Sequence, residues 1–195
     1  MNGPNEPGWA RCSKPGDFSE YKALLVALYN LAGGPKALDL GCGEAHVTKD
    51  LECDYVDLVL RPTAPGKTMQ FDIREAPKKL AKFHYNLLIM TDVIEHLTCP
   101  DGFDLLDGME KICGATVIFT PVGPWRIKPD STHVDEHKSA WWPEAFWLKG
   151  WEVIEFPRYH RFEGGEELGA FFAWQFRERL TPSAEEVCNR ASLSL

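Results

Sequence analysis

Short apolar runs that end in glycine or polar residues recur along the chain and predict a series of buried strands. A helical spacing of apolar residues over residues 17–31 predicts an amphipathic helix before the first strand. Further helices are expected to start near Glu44 and Glu75 and to cover residues 139–149. The predicted strands cover residues 36–40, 55–60, 68–73, a run that begins at residue 85 and ends in a polar cluster, 115–121, 151–156 and 169–176. Strands that alternate with helices favour an α/β fold.

The first predicted strand runs into a glycine turn with acidic residues on either side. Asp39 precedes Gly41 and Gly43, and Glu44 follows them. Glycine lets the backbone turn with positive φ and lets a ligand approach closely. A dinucleotide-binding loop has a third glycine three positions further on, where this chain has His46. The carboxylates favour a cationic sulfonium ligand over a pyrophosphate, although a plain strand-to-helix turn remains an alternative.

Two motifs together resemble the class I S-adenosylmethionine-dependent methyltransferases. The first motif of that family is a strand ending in Asp-x-Gly-x-Gly, matched by Asp39, Gly41 and Gly43. The string Asp92–Leu97 is similar to the fourth motif of the ubiquinone and menaquinone type, which methylates small molecules. The resemblance covers about residues 36–176. It implies a Rossmann-like three-layer sandwich with a seven-stranded, mostly parallel sheet and an antiparallel final strand.

The resemblance also implies a set of cofactor contacts for S-adenosyl-L-methionine. Asp57 corresponds to the acidic residue that binds both ribose hydroxyls, unless it is an ordinary carboxylate inside a longer strand. Asp72 would accept from the adenine amine while Ile73 covers the ring, or Asp72 would cap the next helix. The full expected set is Asp39, Gly41, Cys42, Gly43, Asp57, Asp72, Ile73, Thr91 and Asp92.

The methyl acceptor is expected over the fourth and fifth strands, beside the loop at residues 121–138. Long loops in compact domains are commonly functional. The expected substrate-binding residues are Trp125, His133, His137 and Trp141, although helix packing would explain most of the tryptophans equally well. The expected catalytic residues are His137, as base or substrate orienter, Asp92, at the junction of cofactor and acceptor, and His96. Ser139 is expected to cap the helix that follows.

A metal site is not expected from the sequence. The stretch 133–137 contains two histidines and two acidic residues, which are competent ligands, but no separated third ligand is evident and methyl transfer itself needs no metal. The six cysteines have no pair at metal-binding spacing, so neither zinc nor a disulfide is expected.

Length and net charge further narrow the predicted domain organisation and the predicted partners. The 195 residues suit one methyltransferase domain, with an arm and helix at 1–35, the sheet and its helices at 36–176 and a tail at 177–195. The net charge of −8 argues against a nucleic-acid partner, although Lys78, Lys79 and Lys82 form a small basic cluster. No signal-peptide or membrane-spanning pattern is present, so a cytoplasmic location without a membrane partner is expected.

These observations predict an enzyme that transfers a methyl group from S-adenosylmethionine to an oxygen or nitrogen of a small molecule. Methylation of a protein or nucleic acid is the first alternative, and a catalytically silent cofactor-binding module is the second. A nicotinamide oxidoreductase would share the strand and the glycine turn, but the missing third glycine argues against it. The residues do not identify the acceptor or the oligomeric state.

Overall fold

The described residues form one sheet with helices on both faces. The computed structural model of the chain describes residues 9–11, 18–59, 66–124, 137–161, 165, 167–177 and 180–192. The strands of this part are β1 (Trp9–Arg11), β2 (Ala37–Leu40), β3 (Cys53–Asp57), β4 (Thr68–Gln70), β5 (Leu87–Thr91), β6 (Ala115–Pro121), β7 (Glu152–Arg161) and β8 (Glu167–Phe176). The helices are α1 (Phe18–Leu31), α2 (Ala76–Lys79), α3 (Cys99–Met109), α4 (Pro143–Trp147) and α5 (Ala184–Arg190).

The strand order is β1-β7-β8-β6-β5-β2-β3-β4. Strands β2 to β6 pair in parallel, whereas β8 lies antiparallel between β6 and β7. This arrangement confirms the predicted α/β class, the mostly parallel sheet and the antiparallel final strand. The described sheet has eight strands instead of seven, because β1 pairs in parallel with β7 at the edge. The sequence analysis had placed residues 9–11 in an N-terminal arm.

The helices form two layers around the sheet. One apolar core joins α1 and α5 to one face, and a second core joins α2, α3 and α4 to the other. Neighbouring residues of β2 divide between these cores, with Ala37 in the first and Leu38 in the second. This alternation follows from the strand period of two and confirms the three-layer arrangement. In the described ranges no helix has the length and apolar character needed to cross a bilayer.

The strand predicted over residues 55–60 begins and ends earlier. Strand β3 stops at Asp57, and the side chains of Leu58 and Val59 are 61% and 54% exposed. The apolar run therefore continues beyond the strand into an exposed turn, which periodicity cannot distinguish from a buried extension. The shorter strand places Asp57 at the carboxyl end of the sheet.

The helix predicted to start near Glu44 is absent from the described structure, which has turns over residues 43–50. The backbone amides of Thr48 and Lys49 both donate to the carbonyl of Ala45, which closes a single turn. The Thr48 hydroxyl donates to the buried carboxylate of Asp39, and Tyr55 donates to the Thr48 carbonyl at 3.2 Å. These bonds hold the segment against the sheet in place of a helix.

The helix predicted over residues 139–149 is also shorter. Helix α4 begins at Pro143, and its N-cap is Trp142 rather than Ser139. The amide of Ser139 instead donates to the carbonyl of Glu95 at 3.1 Å. Residues 137–142 therefore lead to α4 without forming a helix.

Candidate functional site

The carboxyl ends of β2 and β5 meet where the strand order reverses. Strand β2 has β3 on one side and β5 on the other, so the loops after β2 and β5 leave the sheet next to each other. Open parallel sheets bind ligands at such a switch point. The loop after β2 starts at Gly41, and the loop after β5 starts at Asp92.

The glycine turn after β2 combines tight packing with open space. Gly41 has a φ of 82°, and a Cβ atom built there would lie 2.6 Å from the Val93 side chain. Gly43 has a φ of 50°, and a Cβ atom there would meet nothing within 4 Å. Gly41 is thus needed for packing against the loop after β5. Gly43 instead borders open space, which is called the cradle below.

Asp57 links the end of β3 to the glycine turn. Its Oδ2 atom accepts from the Gly43 amide at 2.8 Å, and its Oδ1 atom accepts from the Val59 amide at 3.0 Å. A carboxylate offers about four lone-pair sites, so both oxygens can still accept from a ligand hydroxyl. The structure therefore places Asp57, the residue predicted to bind the ribose, beside the glycine turn predicted to bind the cofactor.

Asp39 lies beneath the turn and is only 2% exposed. Its Oδ2 atom accepts from the Thr48 hydroxyl, while its Oδ1 atom is buried without a hydrogen-bond partner among the described residues. Burial raises the pKa of this carboxyl to about 7, and the nearby Asp57 adds to the shift. The site thus holds a buried acid whose charge a nearby cation would stabilise.

The other predicted cofactor contacts have mixed surroundings. The Cys42 amide donates to the Val56 carbonyl at 3.1 Å, and burial raises the pKa of the Cys42 thiol to about 12, which keeps it protonated. Thr91 is the last residue of β5 and is partly buried. Ile73 is partly buried and packs against the second core.

Asp72 caps the short 3₁₀ turn at Ile73–Glu75. Its Oδ1 atom accepts from the Arg74 amide at 3.0 Å, and its carboxylate also binds the Arg74 guanidinium. The hydrogen bonds to Arg74 lower the pKa of the Asp72 carboxyl. Adenine contact and helix capping were both considered for Asp72, and the structure shows it as a cap.

Asp92 is held in an unusual backbone conformation directly after β5. Its φ is 53°, in the left-handed region that residues other than glycine seldom adopt. The Asp92 amide donates to the carbonyl of Phe119 at 2.9 Å, which fixes this conformation. The residue is exposed to solvent, but desolvation by the surrounding protein raises the pKa of the Asp92 carboxyl to about 6. Strained residues of this kind cluster at functional sites.

A buried carboxylate follows Asp92 in the 3₁₀ turn Ile94–His96. Glu95 is 2% exposed, and its Oε2 atom accepts from the Thr120 hydroxyl of β6 at 2.9 Å. Its Oε1 atom is buried without a hydrogen-bond partner in the described part of the chain. Burial, followed by the neighbouring Asp92, raises the pKa of the Glu95 carboxyl to about 8.

Two of the predicted catalytic residues meet beside Glu95. The rings of His96 and His137 have their centroids 4.8 Å apart at an interplanar angle of 80°. One ligand atom from each of Glu95, His96 and His137 lies within 4.8 Å of the others. Burial, followed by the nearby His96 and His160, lowers the pKa of His137 to about 4. His137 is therefore neutral near pH 7.

Trp141 does not line a pocket. The side chain is 2% exposed, its indole N–H donates to the Ile94 carbonyl at 3.1 Å, and its ring packs against Phe103 and Phe146. This burial corrects the prediction that Trp141 contacts the acceptor and supports the alternative of helix packing. The other two predicted acceptor contacts, Trp125 and His133, lie outside the described residues.

Glu95, Tyr21 and His160 were not predicted as site residues. Glu95 belongs to the polar string that was singled out, and its position between an apolar residue and a histidine was the available signal. Tyr21 was considered only as an apolar position of α1, yet burial, followed by the nearby Asp92, raises the pKa of its hydroxyl. No spacing rule links His160 to His137, because they approach each other only through the fold.

No protein-family model and no curated protein matches the chain, but solved methyltransferase structures do. A SAM-dependent methyltransferase from Archaeoglobus fulgidus is 19% identical, with a TM-score of 0.53 over 82% of this chain and 95% of that one. The methyltransferase domain of bacterial CtHen1-CN is 16% identical, with a TM-score of 0.51 over 80% and 97%. The small RNA methyltransferase HEN1 is 16% identical, with a TM-score of 0.56 over 93% and 28%. The chain therefore has the Rossmann-like fold found in SAM-dependent methyltransferases.

Proposed function

We propose that the chain is an enzyme that binds S-adenosylmethionine and transfers its methyl group to an oxygen or nitrogen of a small molecule. The observation that carries this proposal is the contact between the Asp57 carboxylate and the Gly43 amide, at 2.8 Å and at the switch point of the sheet. It joins a hydroxyl-binding carboxylate to an open glycine turn. The methyltransferase fold of the solved neighbours supports the same assignment.

The residues at this edge fit a cationic nucleoside. Gly43 leaves room where a side chain would block the ligand, and Asp57 offers two oxygens to the two ribose hydroxyls. Asp39, buried under the turn with an available oxygen, contributes negative charge towards a sulfonium or amino group. When bound, the cofactor would supply an activated methyl group. Asp72 would contact the adenine amine only by sharing the carboxylate that now binds Arg74.

The acceptor would lie over β5 and β6, next to Asp92, His96 and His137. Its oxygen or nitrogen attacks the methyl carbon, the bond from carbon to sulfur breaks with its electron pair on sulfur, and the acceptor proton passes to solvent. The protein then contributes mainly proximity and alignment. Because the lowered pKa of His137 makes it a weak base, orientation of the acceptor is the role we assign to it.

The charge of the chain supports a small acceptor. A net charge of −8 opposes the phosphate contacts on which nucleic-acid binding depends. Within the small basic cluster, Lys79 pairs with Glu75 at 3.5 Å and lies over the Phe71 ring. HEN1 is named a small RNA methyltransferase, so RNA is the comparison substrate in the assays below.

Calorimetry with S-adenosylmethionine, S-adenosylhomocysteine and NADH tests the cofactor assignment. We expect micromolar binding of the first two and none of NADH. Asp57→Asn should weaken S-adenosylmethionine binding at least about tenfold, because hydrogen bonds to charged groups contribute about 1.5–3 kcal/mol. Asp107→Asn, which removes the same charge on the exposed side of α3, should leave the affinity unchanged. Binding of NADH alone would refute the proposal.

Turnover separates an enzyme from a silent module. S-adenosylhomocysteine release should rise when pools of small hydroxyl and amine compounds are added, and it should stay at background with RNA. Tight cofactor binding without release in any pool would favour the silent module instead.

A further inference from the structure

Three side chains with metal-binding atoms converge at the acceptor side of the sheet. Ligand atoms of Glu95, His96 and His137 lie within 4.8 Å of one another. An ion with bonds of about 2.0–2.2 Å holds its ligands at most about 4.4 Å apart, so small side-chain rotations would close the three atoms on one ion. The near-perpendicular rings of His96 and His137 allow a nitrogen of each to point to a common centre.

Glu95 provides an observation independent of this cluster. It is 2% exposed, and its Oε1 atom has no hydrogen-bond partner among the residues that the structure describes. A buried polar atom without a partner costs free energy, and a bound cation would remove that cost. The Oε2 atom accepts from Thr120, which orients the carboxylate as outer hydrogen bonds orient metal ligands.

The backbone holds the three residues in place before any ligand arrives. The amides of Lys138 and Ser139 donate to the Glu95 carbonyl at 2.8 and 3.1 Å. The Trp141 indole donates to the Ile94 carbonyl at 3.1 Å. These bonds fasten the segment that carries His137 to the 3₁₀ turn that carries Glu95 and His96.

We propose that Glu95, His96 and His137 bind one divalent first-row transition metal ion with coordination positions left open on the acceptor side. Two imidazoles and one carboxylate suit such ions better than Mg²⁺ or Ca²⁺, which prefer oxygen ligands. Three protein ligands with an open position are typical of catalytic sites. No metal was expected from the sequence, because no separated third ligand was evident for the stretch 133–137, and Glu95 and His96 lie far from His137 along the chain.

The role of the ion rests on the proposed function, whereas the site itself does not. An acceptor hydroxyl bound to the ion would have a lowered pKa and would lose its proton to solvent water. The resulting oxygen would use its electron pair to form the bond to the methyl carbon as the bond from carbon to sulfur breaks onto sulfur. The proposal therefore narrows the acceptor class to small molecules that present an oxygen donor.

The experiment is a titration of the purified full chain with Co²⁺ in the absence of S-adenosylmethionine, followed by visible absorption and calorimetry. We expect one equivalent to bind at micromolar affinity or tighter with ligand-field bands. Glu95→Gln and His137→Ala should each weaken this binding at least about tenfold. His84→Ala, which removes an exposed histidine, is the matched control and should bind as the unmodified chain does.

Equal Co²⁺ affinity in the unmodified chain and both ligand variants would overturn the site. X-ray absorption on the Co²⁺-loaded unmodified chain gives an answer even if a variant fails to fold. Scattering from imidazole carbons supports the site, and its absence, or a shell of sulfur, overturns it. Because S-adenosylmethionine binding is measured separately without metal, failure of the cofactor assignment would leave the Co²⁺ result unaffected.

Discussion

Asp39 and Glu95, which are buried and lie before and after Asp92 in the chain, have the same pattern of hydrogen bonds. In Asp39 one oxygen accepts from the Thr48 hydroxyl, and in Glu95 one oxygen accepts from the Thr120 hydroxyl. The other oxygen of each is buried without a hydrogen-bond partner in the described part of the chain. Each acid is thus oriented by one threonine and retains an oxygen for a cation, one on the proposed cofactor side and one on the acceptor side.

The buried Asp39 should make stability depend on pH. Its folded pKa of about 7 exceeds its ordinary value of 3.8, so the folded state holds the proton more tightly. The stabilisation is complete below about pH 4 and is lost as pH rises through 7. Asp39→Asn should reduce the fall in the free energy of unfolding between pH 5 and pH 8 by about 1–3 kcal/mol. Urea unfolding at both pH values measures this difference. An equal fall in the free energy of unfolding in the unmodified chain and in Asp39→Asn would contradict the prediction.

The two glycines of the turn should respond differently to alanine. Gly41→Ala should lower the free energy of unfolding by about 2–4 kcal/mol, because the new Cβ meets Val93 and the φ of 82° is strained for alanine. Gly43→Ala adds strain without a clash and should cost about 1 kcal/mol. It should nevertheless reduce S-adenosylmethionine affinity, because its methyl group enters the cradle. Urea unfolding and calorimetry check the pair, and equal stabilities would refute this division of roles.

Sequence reasoning succeeded in placing residues at the ends of strands, whereas their roles in binding stay predictions. Gly41, Gly43, Asp57 and Asp92 all lie where parallel strands stop, and the sheet brings such positions together. Trp141 could not be assigned in this way, because its burial depends on the chain folding back onto a 3₁₀ turn whose carbonyl it binds.

At the scale of elements, the non-helical segment 137–142 packs against the 3₁₀ turn Ile94–His96 and is called the strap below. It is fixed by hydrogen bonds from Ser139 and Trp141 to that turn and by a bridge between Val122 and Trp141. The predicted helix over 139–149 missed this strap. Backbone and side-chain groups of residues 138–141 hydrogen-bond to the 3₁₀ turn instead of to one another, which no local spacing reports.

Weakening the strap should affect His137 without changing any ligand. Trp141→Phe keeps an aromatic ring in the core but removes one of the donors to the Ile94 carbonyl, which still accepts from the Leu97 amide and the Ser139 hydroxyl. The cost in stability is therefore that of one hydrogen bond, about 0.5–1.5 kcal/mol. We expect Co²⁺ affinity to fall by a smaller factor than in Glu95→Gln. Trp142→Phe, in an exposed position of the same segment, is the control. Unchanged Co²⁺ affinity in Trp141→Phe at 20 °C would show that the strap does not position His137.

At the scale of the whole molecule, the α/β class was predicted from the alternation of strands and helices, and the three layers and the antiparallel final strand were predicted from the family resemblance. The edge strand β1 was not, because three residues carry too little pattern to be recognised. Helix α5 was likewise missed within the predicted tail. Its place depends on packing against α1, which no local spacing reports.

The net charge leads to a prediction about partners. A labelled single-stranded RNA should bind weakly, if at all, in fluorescence anisotropy, because repulsion from a chain of charge −8 opposes association. Adding salt should change the signal little. Submicromolar RNA affinity that falls steeply with salt would contradict the small-molecule assignment and favour the nucleic-acid alternative.

The position of β8 has a consequence for synthesis on the ribosome. Strand β8 lies between β6 and β7, although it follows both of them in the chain. Until residues 167–176 have emerged, the inner edges of β6 and β7 have no native partner, so their backbone N–H and C=O groups are unpaired. The acceptor half of the sheet therefore forms late in translation. A nascent chain stalled before β8 would be a substrate for chaperones, whereas one stalled after it could complete the site.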